Sequence, residues 1–154
     1  MKDDRTTIAA WCTYDWANSA FTTLVVTFIY STYFVQAFAD DPDTGTAFWS
    51  GGIVVSSILI AVLSPVLGAA ADRGGARRKF LIISTLVCVA ATTVLAFITP
   101  DQSNAELTAL TVFVIANVAF EVGMVFYNAF LPAIVSPERI GRVSGYGGGL
   151  GYAG

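Results

Sequence analysis

The basic residues of this chain are confined to three short stretches, and between the charged loops run four apolar segments of roughly 20 residues or more. At a rise of about 1.5 Å per residue, each is long enough to cross a hydrocarbon core about 30 Å thick. In lipid the backbone must satisfy its own hydrogen bonds, so these segments are helices. The expected spans are about 17–39, 48–71, 80–99 and 107–131, with a fifth opening near 143. The short connections force antiparallel neighbours. The fold class is therefore all-α, a polytopic transmembrane helix bundle.

Charge then orients the bundle. The basic residues fall in three places: Lys2 and Arg5; Arg73, Arg77, Arg78 and Lys79; Arg139 and Arg142. The two remaining loops hold only acids, Asp40, Asp41 and Asp43 in one, Asp101 and Glu106 in the other. Short cytoplasmic loops carry an excess of Lys and Arg, so the N-terminus is expected in the cytoplasm. The chain would cross an even number of times before each basic cluster. Trp11, Tyr14 and Trp16, ahead of the first span, suit the headgroup interface.

The composition excludes several classes. Charged residues make up 12% of the chain, about half the share usual in soluble domains. The basic groups are few and tied to loops, which argues against a nucleic-acid partner. There is no histidine, and Cys12 and Cys88 sit in or beside apolar segments, so neither a metal centre nor a cofactor site is indicated. The two thiols read as small packing residues. The mixed charges at the N-terminus and the long, polar-speckled first run do not fit a cleaved signal peptide.

Polar residues inside the spans carry the functional signal. Asn117, Glu121 and Asn128 in the fourth span fall within about 40° of one another on a helical wheel. An ionisable group at membrane depth is costly and usually faces a bundle interior or an aqueous cavity. Glu121, near mid-span, suits a proton carrier; a helix-gluing hydrogen bond is the alternative role. In the first span Asp15, Asn18 and Thr22 lie within about 60°. Asp15, near the cytoplasmic end, could equally cap the helix or sit in water. The polar pathway expected from these residues comprises Asp15, Asn18, Asn117, Glu121 and Asn128. Nothing assembles a catalytic site, since no nucleophile is paired with a base.

Glycines and prolines punctuate the chain. Spaced glycines from Gly145 onward favour close helix packing, and without a preceding strand or a P-loop lysine they make no nucleotide loop. Pro65 predicts a kink in the second span. Only twelve residues follow from Val143, too few to cross, so the chain reads as a truncated piece of a longer protein.

The loop after the second span reads Gly68-Ala-Ala-Ala-Asp72-Arg73-Gly74-Gly75-Ala76-Arg77-Arg78. It resembles the signature between helices two and three of the major facilitator superfamily, departing from it at Ala76, where a basic residue is expected. Tyr14-Asp15-Trp16-Ala17-Asn18-Ser19-Ala20-Phe21 and Ser136-Pro137-Glu138-Arg139-Ile140-Gly141-Arg142 onward resemble bacterial relatives of the autophagy-linked vacuolar amino-acid effluxers. The resemblance implies a twelve-helix fold of two six-helix halves, of which this chain is most of the first, in a bacterial inner (plasma) membrane. It implies a permease that moves a small solute, with amino acids and protons as candidate cargo and coupling ion, and a C-terminal half as partner. The loop would act as a conformational latch built on Gly68, Asp72, Arg73, Gly75, Arg77 and Arg78, with Asp72 the central acceptor of charge-assisted bonds. A non-transporting scaffold is the rival reading; it would need neither the intramembrane stripe nor the latch.

Overall fold

The computed structural model of the chain describes residues 2–153, the side chains of residues 70–74 and 153 excepted. The described residues are helical almost throughout. Helix α1 (Arg5–Ala20) runs into a π-helical segment (Phe21–Phe28) and then α2 (Ile29–Ala37), a single span of 33 residues. Helices α3 (Pro42–Gly74), α4 (Arg77–Leu95) and α5 (Ala105–Ile134) follow, then a 3₁₀ turn (Pro137–Arg139) and α6 (Ile140–Ala153). The first span, α3, α4 and α5 are each long and apolar enough to cross a membrane. Four such helices are the architecture of an integral, multi-pass membrane protein.

The helices outrun the hydropathy boundaries at most ends, because hydropathy does not see capped polar turns. The first helix begins at Arg5, not near residue 17. Asp4 caps it, accepting from the Thr7 backbone N–H at 2.9 Å and the Thr7 hydroxyl at 2.6 Å. Helix α3 begins at Pro42, inside the segment expected to be a turn. Asp41 accepts the backbone N–H groups of Asp43 and Thr44, and Pro42 fills the first helical position, where a missing N–H costs nothing. Pro132, just past the expected end of the fourth span at about residue 131, lies inside the last turn of α5, which continues to Ile134.

The chain divides into two units, Tyr30–Phe126 and Met1–Ile29 with Tyr127–Gly154. In the first, Trp49 packs between Phe34 at 5.3 Å and Phe113 at 4.0 Å (ring centroids). Gly52 lets α5 come close: a Cβ there would sit 2.6 Å from a Leu110 methyl carbon. Further along the same helices Val122 and Phe126 pack with Leu67, Phe80 and Leu81. The opposite face of α3 presents Val54, Val55, Ile58, Val62 and Val66 outward. Water penalises such aliphatic surface at about 25 cal/mol per Å², whereas lipid accepts it. By contrast α5 is the covered helix. Ala109, Phe113, Ala116, Asn117, Phe120 and Phe126 are all buried along it.

Candidate functional site

In the unit formed by Met1–Ile29 and Tyr127–Gly154, α1 and α6 meet along matched four-residue steps. Trp11, Asp15 and Ser19 lie on one face of α1; Val143, Gly147 and Gly151 share one face of α6. A Cβ at Gly147 would fall 2.5 Å from Trp11 Cζ3. One at Gly151 would fall 3.0 Å from Asp15 Oδ2 and 3.2 Å from Ser19 Oγ. The glycines therefore bring the helices into contact, as their spacing leads one to expect.

Trp11 is fixed by more than this contact. Its Nε1 donates to the Tyr127 carbonyl at 3.1 Å, and its ring stacks on Tyr127 at 4.4 Å and 7°. Tyr14 also stacks on Tyr127, at 5.2 Å. Trp11 thus does not face headgroups; it is buried, while Trp16 remains exposed. An indole N–H at membrane depth needs an acceptor, and a main-chain carbonyl supplies one.

Asp15 and Ser19, with Thr22, Thr23, Gly148, Gly151 and Tyr152, line a cavity of about 500 Å³. Thr22 and Thr23 belong to the π-helical segment, where Ile29 N–H bonds the Leu24 carbonyl five residues back. The Thr27 hydroxyl likewise donates to the Thr22 carbonyl at 2.8 Å. β-Branched residues (Thr22, Thr23, Val25, Val26, Thr27) crowd this stretch and weaken the ordinary α-winding. Asn18 is half-buried just before it, its carbonyl accepting from Phe21 N–H.

On α5 the three stripe residues differ in environment. Asn117 is 8% exposed, Glu121 is half-buried, and Asn128 is exposed. Pro132 cannot donate to the Asn128 carbonyl, which leaves that carbonyl without its usual helical donor.

In the basic loop, Gly75 adopts φ +60°, the left-handed conformation that ends α3 and that glycine takes without a Cβ penalty. Arg77 and Arg78 occupy the first turn of α4, behind Ala76, whose side chain caps nothing. Cations at a helix N-terminus oppose its dipole, so their placement does not serve helix stability. At Gly68 a Cβ would meet nothing within 4 Å. The side chains of Asp72 and Arg73 lie outside the described residues.

Asp3 makes a contact that cation counting overlooks. At φ +65° its N–H donates to the Ile134 carbonyl at 2.8 Å, and its Oδ1 accepts from Ser136 N–H at 3.3 Å and pairs with Arg139 at 3.2 Å. The N-terminus and the α5–α6 junction therefore lie on the same side of this unit. The clue in the sequence is the acidic pair Asp3–Asp4 set between Lys2 and Arg5.

A family profile described as "Vacuole effluxer Atg22 like" matches residues 44–145. A Bacillus subtilis (strain 168) protein titled "Uncharacterized MFS-type transporter YxiO" is 35% identical over 148 residues, covering 94% of this chain. The chain spans about a third of that relative, 34% of its length. No solved structure matches.

Proposed function

We propose that this chain, which belongs to the Atg22-like vacuole effluxer family within the major facilitator superfamily, forms the first part of the N-terminal six-helix half of a solute transporter. The full-length protein would move a small solute by alternating access, two halves rocking about a site near the bilayer midplane. Amino acids are the solute class to test first, because the resemblance drawn from the sequence motifs implies them. The basic face is assigned to the cytoplasm, and the membrane to the bacterial inner (plasma) membrane. Gly68, Asp72, Arg73, Gly75, Arg77 and Arg78 are assigned to the latch that closes against the C-terminal half.

The observation that carries the reading is a half-buried carboxylic acid, Glu121, one turn from buried Asn117 on the most covered span. A carboxyl group that gains and loses a proton changes by a full charge the cost of its surroundings. It can therefore bias which side of a rocking bundle is open. Asp15, Asn18 and Asn128 complete the proposed polar lining.

The test is flux through the full-length protein in vesicles, with and without an imposed pH gradient. Glu121→Gln is nearly isosteric and cannot release a proton, so gradient-driven flux should be abolished while protein level stays intact. Gradient-driven flux equal to the parent's would remove Glu121 from the mechanism.

A further inference from the structure

Of the polar residues that line the cavity between α1 and α6, Asp15, Ser19 and Thr22 present acceptors, while the Thr23 and Tyr152 hydroxyls can both accept and donate. The Ser19 hydroxyl donates its proton to the Asp15 carbonyl at 2.9 Å, and the Thr22 hydroxyl donates its proton to the Ser19 carbonyl at 3.0 Å. A hydroxyl carries one proton and two lone pairs. With the protons committed to the helix backbone, Ser19 Oγ and Thr22 Oγ1 can offer only lone pairs to the space they line. The Asp15 carboxylate, when ionised, is also acceptor-only. Among the described lining residues none is basic.

The geometry brings these acceptors together. Asp15 Oδ2 and Ser19 Oγ lie 3.0 and 3.2 Å from the point where a side chain at Gly151 would begin. Any other residue at 151 would crowd both oxygens, and Gly148 leaves a second part of the wall bare. Thr22 and Thr23 reach the cavity from the π-wound stretch, a conformation that is rare and recurs at functional sites. The niche thus combines one negative charge, inward-facing lone pairs and a winding defect.

We infer that this niche binds a monovalent cation, either Na⁺ or the ammonium head of a solute. Asp15 and the two committed hydroxyls of Ser19 and Thr22 offer an anion no donor, so this part of the wall favours a cation over carboxylate or phosphate. A single carboxylate balances one positive charge, whereas divalent sites of hard oxygen donors usually gather several. A bound cation would balance the charge of the part-buried Asp15 carboxylate. The inference builds on the assignment of Asp15 to the transport pathway. Its test reads binding alone, so it can fail while transport stands, and the reverse.

The experiment is thermal unfolding of the full-length protein in detergent, titrated with NaCl, methylammonium chloride or bulky N-methylglucamine chloride at constant ionic strength. A ligand that binds only the folded state raises the midpoint saturably. Na⁺, methylammonium or both should do so, and N-methylglucamine should not. Saturation by Na⁺ alone identifies a metal-ion site; saturation by methylammonium alone identifies an amine-head site. Asp15→Asn should weaken the effect about tenfold or more. Gly151→Ala should weaken it too, while Asp15→Glu should retain it. If Asp15→Asn does not fold, Ser19→Val and Gly151→Ala carry the comparison. Equal midpoints in all three salts, or variants that titrate like the parent, would overturn the assignment.

Discussion

At the residue scale, two aspartates perform the same task at opposite ends of the first span. Asp4 receives Thr7 and Asp41 receives Thr44, each through a hydroxyl at 2.6 Å and a main-chain N–H at 2.9 Å. These bonds favour the ionised carboxylate and hold both groups below the usual aspartate range. A lowered folded-state pKa contributes stability that is complete above the unfolded value of about 3.9 and fades as pH falls through the folded one. Asp41→Ala should therefore lower the thermal midpoint at pH 7, and the gap to the parent should shrink below about pH 4. Circular dichroism melts at the two pH values read this directly. A gap that widens on acidification would contradict the cap. The cap is legible in the sequence as Asp followed by Pro at the first helical position. Residues 40–46 nonetheless read as a turn, because Pro and Gly also break helices and the pattern alone does not say which role wins.

At the element scale, helicity and number of spans follow from apolar length, since lipid leaves a spanning backbone few other choices. Helix packing is only partly legible. The glycine spacing on α6 announces a close neighbour, but only coordinates identify it as the Trp11–Asp15–Ser19 face. Trp11 misleads for a related reason: an aromatic near a membrane boundary suits both headgroups and a core, and here the carbonyl of Tyr127 captures it. The π segment leaves no periodic trace, because its residues are as apolar as those of any span. The α1–α6 contact makes a sharp prediction. Gly147→Val would place a branched side chain into the Trp11 ring and should cost about 1–3 kcal/mol. Gly149→Ala, where a Cβ meets nothing within 4 Å, should be neutral or stabilising. Thermal unfolding of both variants checks the contrast; equal losses would mean that the glycines serve something other than this interface.

At the scale of the whole molecule, charge segregation and helix length must agree on sidedness. Helix α3 has 33 residues, about 50 Å of rise, well beyond a hydrocarbon core of about 30 Å. Its first turn carries Asp43, and its end leads within three residues to Arg77 at the start of α4. Asp43 and Arg78 must therefore lie on opposite sides of any membrane that α3 spans. Which side is which rests on the basic residues, all of which the positive-inside rule assigns to the cytoplasm. The ion pair between Asp3 and Arg139 is consistent with this, since it joins two segments that the rule places together. Asp43→Cys should react with a membrane-impermeant maleimide on intact cells, and Arg78→Cys only after permeabilisation. The buried Cys12 and Cys88 should contribute little background. Labelling of both positions from one compartment would break the spanning assignment of α3; the reverse pattern would keep the span and invert the protein, moving the proposed latch to the outer face.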